Sequence, residues 1–384
     1  MNESRIKSAV NIAIIALFIG ALWLPALESV FHFAPELESS EQRRLSDLPE
    51  LRMNRKSIIE FQSKFMKYFV DNFGFRNYLI RFNSLMKLKF LKVEQFPKVL
   101  VGKDDWLFLI KDDEGNNALD YYRSIKLFGD EREIAEWAQP LADMKKRLDR
   151  MGIRFIVVFV PMKPRVYTEY VPRYYRPVRD TTRLVQAIPY LNTRAGIEAV
   201  DIGGDVLEGK KLHRVFYKHD VHWNAYGAFS AYRGICAALA GWYPRMKPLS
   251  LEDFSVATAE FQGGDLANML GLKDRFTEDN YVFTPKKGAA YRSVPVAYEV
   301  KASRFTEAFE TGNPSLPRAV VFHDSFFNYV KPFLAGHFSR LACFQVYSRA
   351  DFSLIEREKP DVVIYEIAES FLQKAPAYVT PLNF

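Results

Sequence analysis

Two short segments of the sequence carry side chains that could act together in nucleophilic chemistry. The first segment, 217–224, contains Asp220 and His222, and the second segment, 320–326, contains Ser325. A serine hydroxyl is a weak nucleophile until a base accepts its proton, and imidazole is such a base near neutral pH. A carboxylate beside the imidazole fixes its tautomer and stabilises the imidazolium. These residue types are therefore compatible with acyl transfer through a serine.

The spacing within each segment agrees with this chemistry. Asp220 and His222 are two residues apart, so their side chains project to the same side of an extended backbone. Ser325 follows a predicted strand and precedes a possible helix. At such a position a hydroxyl can be exposed and a backbone N–H can point at an oxyanion.

The same residues also allow other interpretations. Asp and Ser are common helix N-caps after a strand, and Asp220 and His222 could be structural hydrogen-bonding residues. Zinc binding is a further alternative, because several potential ligands lie close in sequence: His213, His219, Asp220 and His222, with His323 further along the chain. No full ligand set at a familiar spacing is present, and we predict no metal site.

The pattern of apolar runs predicts the elements that must position these residues. Continuous apolar, β-branched runs are typical of strands buried on both faces. Residues 155–160 form such a run, and similar strands are predicted at 197–202, 319–322 and 362–365. Helical stretches separate them, among them 134–148 and 225–242, and a hairpin is predicted at 99–101 and 106–110. The alternation predicts an α/β fold with a mostly parallel sheet, whose ligands bind beyond the carboxyl ends of the strands.

Length and composition exclude several classes of protein. The chain has 384 residues, of which 48% are hydrophobic and 26% charged, so it can bury a core and does not resemble a disordered chain. Only one long apolar run is present, which excludes a polytopic membrane protein. The formal net charge of +7 favours an anionic partner, such as a polyanionic glycan, a membrane surface or nucleic acid.

The one long apolar run lies near the N-terminus, at 8–27. Its length suffices to span a hydrocarbon core of roughly 30 Å. Arg5 and Lys7 precede it and Glu28 follows it, which predicts a cytoplasmic tail at 1–7 and export of the rest. Because no convincing small-residue cleavage site follows, we predict an uncleaved transmembrane signal-anchor; a cleaved signal peptide is the alternative.

Residues 28–95 are predicted to connect this anchor to a domain at 96–384. Polar residues up to 55 indicate a tether, and aromatic residues at helical spacing between 56 and 95 predict a helix that docks on the domain, broken at Gly74. Cys236 and Cys343 lie in apolar surroundings, so we expect two buried free thiols and no disulfide.

A segment rich in arginine and tyrosine, 163–183, predicts a sugar-binding surface. Aromatic rings stack on sugars, and guanidinium groups pair with carboxylates. We expect Lys163 and Arg165 to bind substrate, because they lie next to a predicted strand end. Single-stranded nucleic acid would suit the same composition, but export argues against it. The alternative is a solvated loop whose tyrosines pack on the core.

Several short motifs, taken as an ordered set, resemble the AlgJ/AlgX-like family of polysaccharide O-acetyltransferases. The main ones are Asp-Val-His-Trp-Asn at 220–224 and His-Asp-Ser-Phe at 323–326. Further similar stretches lie at 41–45, 71–76, 102–108, 264–267 and 359–364, so the resemblance covers roughly residues 40–372.

This resemblance implies an SGNH-hydrolase-like three-layer α/β/α fold and a role for each matching residue. Ser325 would be the nucleophile, His222 the base and Asp220 its orienter. Asn224 and His323 lie within the motifs and are expected to contact substrate. His323 occupies a position at which many SGNH enzymes have glycine, and its bulk could narrow the site.

The implied function is O-acetylation of an exported polysaccharide, alginate being the family's example, through an acetyl-serine intermediate. The resemblance places the domain in the bacterial periplasm, held at the inner membrane, with a multi-spanning membrane acyltransferase as acetyl donor. No cofactor and no nucleic-acid partner are expected. Two alternatives stay open: a carbohydrate acetylesterase with the same triad, and a non-catalytic glycan-binding subunit of an export complex.

Overall fold

The structure, a computed structural model, describes residues 3–35, 37, 45–50, 54–112, 115–298, 300, 303, 305–345 and 352–376. The chain divides into two compact units. The first unit contains Met1–Val93 and Ala267–Arg275, and the second contains Glu94–Leu266 and Phe276–Phe384. Both segments singled out for their chemistry belong to the second unit.

The N-terminal part of the first unit consists of three helices in its described residues: α1 at Glu3–Phe31, α2 at Arg55–Asp71 and α3 at Arg76–Lys89. Within α1, Ile6–Phe31 is long and apolar enough to cross a membrane. α2 and α3 agree with the helix predicted at 56–95, and the break between them falls at the predicted Gly74. Whether this segment docks on the second unit stays a prediction.

The remaining helices are short, except for α5 and α9. They are α4 at Ala118–Tyr122, α5 at Glu131–Arg150, α6 at Lys163–Val166, α7 at Arg183–Thr193, α8 at Gly203–Lys210, α9 at Ala225–Ala240, α10 at Asp265–Met269, α11 at Lys331–Leu334 and α12 at Phe352–Glu358. Short 3-10 helices occur at Lys103–Asp105, Thr168–Tyr170, Arg173–Tyr175, Leu251–Asp253, Lys273–Arg275, Ser325–Tyr329, Ala335–His337 and Glu369–Lys374.

The strands are β1 at Val99–Val101, β2 at Leu107–Leu109, β3 at Arg154–Val160, β4 at Glu198–Asp201, β5 at Phe254–Gln262, β6 at Thr277–Pro285, β7 at Arg292–Val294, β8 at Phe305–Glu310, β9 at Arg318–His323, β10 at Arg340–Gln345 and β11 at Val362–Ala368. β1 pairs with β2, and β5 with β6, as antiparallel hairpins. The first hairpin is the one predicted from the sequence.

In the described part of the chain, seven strands form one mixed sheet in the order β4-β3-β11-β9-β10-β8-β7. Within this order, β4, β3, β11, β9 and β10 pair in parallel with their neighbours. β8 and β7 follow β10 and join through antiparallel pairs. The expectation of a mostly parallel sheet therefore holds for its centre and fails at one edge. β7 and β8 are only partly buried and lack a continuous apolar run, which is why the pattern did not predict them.

Two apolar cores cover the two faces of this sheet. Phe155 of β3 belongs to one buried cluster, together with Leu141 of α5 and Leu191 of α7. Its neighbour Ile156 belongs to the other cluster, together with Tyr232 of α9. Alternate side chains of one strand thus enter opposite cores, as a continuous apolar run predicts. The result is the predicted three-layer α/β/α arrangement.

The two cysteines agree with their prediction as well. Cys236 and Cys343 are free thiols, and both are buried. Burial raises the pKa of each thiol to about 12, so both are protonated at neutral pH.

Asn224 is the N-cap of α9. Its side-chain oxygen accepts hydrogen bonds from the N–H groups of Tyr226 at 3.0 Å and Gly227 at 3.1 Å. Its amide donates to the Arg214 carbonyl at 2.6 Å. The residue is fully buried. Asn224 therefore caps the helix that follows the 217–224 segment. This buried capping role takes the place of the substrate contact expected from the sequence.

Asn224→Ala should lower the free energy of unfolding by about 1–3 kcal/mol, because two helix N–H groups and a buried carbonyl lose their partner. Asn224→Ser is the matched control, since a serine hydroxyl is also a good N-cap acceptor and adds no charge. Thermal unfolding should rank wild type above Ser and Ser above Ala. Equal stability of the Ala and wild-type proteins would contradict the capping role.

Candidate active site

The two predicted segments meet beyond the carboxyl end of β9. This strand ends at His323, and Ser325 opens the helical turn Ser325–Tyr329. Asp220 and His222 lie in the loop between α8 and α9. The site therefore joins a strand end of the central sheet to a loop that a long helix anchors.

The three side chains form a continuous hydrogen-bonded chain. His222 Nε2 lies 2.7 Å from Ser325 Oγ, and His222 Nδ1 lies 2.7 Å from Asp220 Oδ1. With the proton on Nδ1, the ring donates to Asp220 and leaves Nε2 to accept the serine proton. Asp220 and His222 are buried, whereas Ser325 is partly exposed. The chain thus runs from an enclosed carboxylate to a hydroxyl that solvent reaches.

The charges of Asp220 and His222 stabilise each other. Burial alone would raise the pKa of Asp220, but the charge and hydrogen bonds of His222 lower it to about 2. Burial likewise would lower the pKa of His222, but the Asp220 carboxylate raises it above its usual value. Asp220 is therefore ionised near neutral pH, and His222 is a stronger base than a free imidazole.

The second oxygen of Asp220 is held by the first residue of α10. The N–H of Asp265 donates to Asp220 Oδ2 at 3.0 Å. Gly264 permits this approach, because a Cβ at that position would lie 1.9 Å from the same oxygen. The backbone N–H of His222 adds a bond to Oδ1 at 2.9 Å. Both carboxylate oxygens thus have N–H donors, which fixes the orientation of the group.

Lys163 holds the backbone of the Asp220 loop. Its ammonium donates to the carbonyl oxygens of Tyr217 at 3.1 Å, Lys218 at 3.0 Å and Asp220 at 2.5 Å. Burial lowers the pKa of Lys163 to about 7, although the charges of Asp220 and Glu278 oppose this shift. The sequence predicted a substrate-binding lysine, but the structure encloses Lys163, and its three donors are engaged by the protein itself.

Glu278 of β6 holds the N–H groups of the same loop. Its carboxylate accepts hydrogen bonds from the N–H of Lys218 at 2.8 Å and of His219 at 3.0 Å. Arg214 lies 3.2 Å from this carboxylate, which compensates part of its buried charge. The buried amine of Lys163 and the buried carboxylate of Glu278 therefore bind the carbonyls and the N–H groups of one short loop.

The turn that carries Ser325 has its own support. Asp324 accepts hydrogen bonds from the N–H of Phe326 at 2.9 Å and of Ala368 at 2.7 Å. The indole of Trp223 donates to the Phe326 carbonyl at 3.1 Å. Trp223 is thus a buried core aromatic that also links the histidine segment to the serine turn.

His323 lies beneath this turn and not in an open site. The residue is fully buried, its Nδ1 lies 2.6 Å from the Asp324 carbonyl, and its ring packs on Phe327 at 5.2 Å. Burial lowers its pKa to about 3, so the ring is neutral. A fully buried side chain cannot contact a sugar, so the substrate role expected of His323 does not fit its environment.

Arg165 forms ion pairs within the protein. Its guanidinium donates to Asp201 at 3.1 and 2.5 Å and to Glu369 at 3.0 Å. Two carboxylates therefore already compensate its charge. The Arg165 side chain is 30% exposed, so part of it can be reached from solvent. A sugar contact through that part stays a prediction.

Arg165 borders a cavity of about 310 Å³, a volume at the lower end of typical ligand pockets. Arg179, Arg183, Tyr121 and Tyr122 line it as well. Arg179 donates to the Ser124 carbonyl at 2.7 Å. No carboxylate pairs with its guanidinium among the contacts described for this part of the chain. Arginine and tyrosine thus converge here, as the 163–183 composition suggested, but the two tyrosines come from a different segment.

A metal could also be sought among these side chains. Asp220, His222 and Asp265 place possible ligand atoms within 4.8 Å of one another. However, His222 Nδ1 and Asp220 Oδ1 are only 2.7 Å apart. Two ligands of a tetrahedral zinc ion would stand about 3.3 Å apart at normal bond lengths. The observed distance fits a shared proton better than a shared ion.

Sequence reasoning did not assign several residues that hold the site. Asp265, Glu278 and Asp324 act through contacts with residues distant in the chain, or through a carboxylate that looked like an ordinary N-cap. Gly264 was noted only as part of a motif. The only sequence signal for these residues was that motif. Its glycine is needed for steric reasons, and the N–H of the following aspartate binds the Asp220 carboxylate.

Comparison with known proteins gives a family and a set of relatives. The model of the family described as "SGNH hydrolase-like domain, acetyltransferase AlgX" matches residues 99–305, slightly more than half of the chain. Asp220 and His222 fall inside the match, and Ser325 lies beyond it. Ser325 is therefore connected to the pair by the structure and not by the family match.

The curated relatives include two proteins named probable alginate O-acetylase AlgJ. The one from Pseudomonas syringae pv. tomato is 28% identical over 204 residues, which cover 53% of this chain and 48% of the relative. The one from Pseudomonas aeruginosa is 28% identical over 182 residues, which cover 47% and 43%. The chain thus spans about half the length of the curated relatives it matches.

A solved structure supports the fold. Bacillus cereus PatB1 with a sulfonyl adduct superposes with a TM-score of 0.53 at 17% identity, covering 73% of this chain and 99% of that one.

Gly264→Ala should slow acylation of Ser325 at least about a hundredfold, because the new methyl group must displace the Asp220 carboxylate that orients the base. The rate of reaction with an activated acetyl ester measures this. Gly204→Ala is the matched control, since a Cβ there meets no atom within 4 Å. An unchanged rate in Gly264→Ala with normal folding would contradict the steric argument.

Proposed function

Because this chain belongs to the family of SGNH hydrolase-like domains of the acetyltransferase AlgX, we propose that it acetylates a polysaccharide through an acetyl ester on Ser325. The observation that carries this proposal is the chain from Asp220 through His222 to Ser325, with 2.7 Å at each side-chain step. Relatives named probable alginate O-acetylase AlgJ, among them the two described above, support a polysaccharide acceptor.

The first half of the proposed reaction loads the serine. His222 Nε2 accepts the hydroxyl proton of Ser325, and Oγ attacks the carbonyl carbon of the acetyl donor. The tetrahedral intermediate collapses, the bond to the donor oxygen breaks, and His222 returns the proton to that oxygen. Asp220 stays ionised and stabilises the imidazolium, which agrees with its lowered pKa.

The second half transfers the acetyl group. A sugar hydroxyl takes the place of the departed donor, gives its proton to His222 and attacks the acetyl-serine carbonyl. The second tetrahedral intermediate releases Ser325, which recovers the proton from His222. Transfer therefore returns the site to its starting protonation state and needs no redox cofactor.

The N–H of Ser325 is the donor best placed to bind the developing oxyanion. It is the first N–H of a helical turn, and such groups have no intrahelical acceptor. The N–H of the next residue, Phe326, is already engaged by Asp324.

We place the domain on the exported side of the bacterial inner membrane, with α1 as its anchor. The basic residues at its start and its apolar length support this orientation. Acetyl-CoA is not expected in the periplasm, so a multi-spanning membrane acyltransferase would deliver the acetyl group. The cavity lined by Arg179, Arg183 and two tyrosines is our candidate acceptor subsite, because it combines aromatic faces with guanidinium groups.

The test uses the full chain in detergent with an activated acetyl ester. Intact mass should reveal an acetyl adduct in wild type and none in Ser325→Ala. Ser255→Ala, which changes an exposed serine in β5, is the matched control and should acylate like wild type. Equal labelling of Ser325→Ala and wild type would contradict the nucleophile.

An alginate oligosaccharide then separates transfer from hydrolysis. Faster loss of the adduct with acetylated oligosaccharide as product supports the proposed transferase. Adduct decay that is the same with and without acceptor, yielding only acetate, would identify an acetylesterase instead. Oligosaccharide binding without any adduct would identify a non-catalytic glycan-binding subunit.

A further inference from the structure

Helix α2 leaves a broad apolar face uncovered. The side chains on this face are between 38% and 69% exposed: Ile58, Ile59, Phe65, Met66, Phe69 and Val70. At 3.6 residues per turn, they lie on one side of the helix. Soluble proteins rarely leave a contiguous patch of this kind exposed without a partner for it.

The opposite side of α2 is polar and mostly basic. It carries Lys56, Lys64 and Lys67, and Glu60 pairs with Lys64 at 2.8 Å. Residues 55–89 together contain eight basic and two acidic side chains. An amphipathic helix with large apolar residues on one face and lysines on the other is typical of helices that lie in a lipid–water interface.

Helix α3 and the residues after it also expose large apolar side chains. Leu79 and Phe82 are 50% and 62% exposed, and the residues that follow the helix, Phe90 and Leu91, are 73% and 66% exposed. The apolar surface of this unit is therefore not confined to one helix.

The junction of α2 and α3 is hydrogen-bonded to the C-terminal end of α1. Ser29 Oγ accepts from the N–H of Gly74 at 2.9 Å and donates to the Asn72 carbonyl at 3.3 Å. The Glu28 carboxylate accepts from the N–H of Phe75 at 3.3 Å. Gly74 allows the close approach, since a Cβ there would lie 2.0 Å from the Pro25 carbonyl oxygen. The start of α3 and the end of α2 are thus fixed where α1 would leave a bilayer.

We propose that α2 lies in the surface of the bilayer that α1 spans, with its apolar face in the acyl-chain boundary and its lysines at anionic headgroups. The bilayer is favoured over a protein partner because the apolar face and the excess of basic charge occur together, beside the end of α1. This inference rests on the proposed anchoring by α1 and is independent of the chemistry at Ser325. It gives the segment 55–89 a function as a second membrane contact.

The test reconstitutes the full chain in vesicles of phosphatidylethanolamine and phosphatidylglycerol and uses an environment-sensitive fluorophore on an introduced cysteine. Phe69→Cys places the label on the apolar face. Lys67→Cys is the matched control, because positions 67 and 69 are two residues apart and lie about 160° from each other around the helix axis. The native Cys236 and Cys343 are buried and protonated, so they contribute little labelling.

The label at position 69 should show blue-shifted emission, with lipid-borne quenchers reducing it at least about threefold more than the label at position 67. Equally weak quenching at both positions would overturn the proposal. A blue shift at position 69 without lipid quenching would also overturn it, because a second protein surface would then cover the face.

Two measurements on the same vesicles separate this proposal from the anchoring by α1, on which it rests, and from the chemistry at Ser325, of which it is independent. Extraction of the unlabelled protein by alkaline carbonate would show that the α1 anchor itself fails. Acetyl-adduct formation at Ser325 in the labelled variants reports that the second unit is folded and active. A normal adduct and a retained anchor without lipid contact at position 69 would refute the α2 assignment alone.

Discussion

The buried Asp220 carboxylate is the interaction on which the candidate site depends. An ionised group removed from water is costly unless hydrogen bonds and an opposite charge compensate for it. Asp220 has the hydrogen bonds, from the N–H groups of His222 and Asp265 and from the His222 ring, and that ring supplies the opposite charge whenever it is protonated. Gly264 is required because the donor segment lies in contact with the carboxylate. The orientation of the His222 imidazole therefore follows from how the charge of Asp220 is accommodated.

The loop that bears Asp220 is itself positioned by charge. Lys163 binds its carbonyl oxygens and Glu278 binds its N–H groups, so polar backbone that the fold encloses is satisfied from both types of group. The serine turn is held at the end of β9 by Asp324, and the indole of Trp223 ties this turn to the segment that bears His222. The two segments thus meet at 2.7 Å between His222 Nε2 and Ser325 Oγ. Preorganisation of this kind is what acyl transfer requires of its catalytic groups.

The sequence predicted those parts of the molecule that depend on local pattern. Continuous apolar runs marked β3, β9 and β11 because a strand buried on both faces has no polar side to display. Asp220 and His222 could be paired because a two-residue spacing places both on one side of an extended segment. Asn224 could have been identified as an N-cap from its place before a helix, but its motif drew it into the substrate assignment instead.

The rest depends on contacts between residues far apart in the chain. A lysine after a strand end looks like a surface cation, and only the folded structure shows that Lys163 meets three carbonyls more than fifty residues away. Glu278 lies in a hairpin strand with no feature in sequence that links it to the 217–220 loop. The antiparallel edge of the sheet, with its half-exposed strands, has no periodic signal strong enough to define it.

The central claim is that the buried Asp220–His222 pair activates Ser325, and the most direct measurement is the rate of sulfonylation of Ser325 against pH. A sulfonyl fluoride and peptide mapping would locate and time the adduct. Only the neutral ring can accept the serine proton, and Asp220 raises the pKa of His222, so the rate should rise with pH through a midpoint above 6.5. Asp220→Asn should lower the rate at least about a hundredfold. An adduct on another residue, or an equal rate and midpoint in Asp220→Asn, would contradict the account.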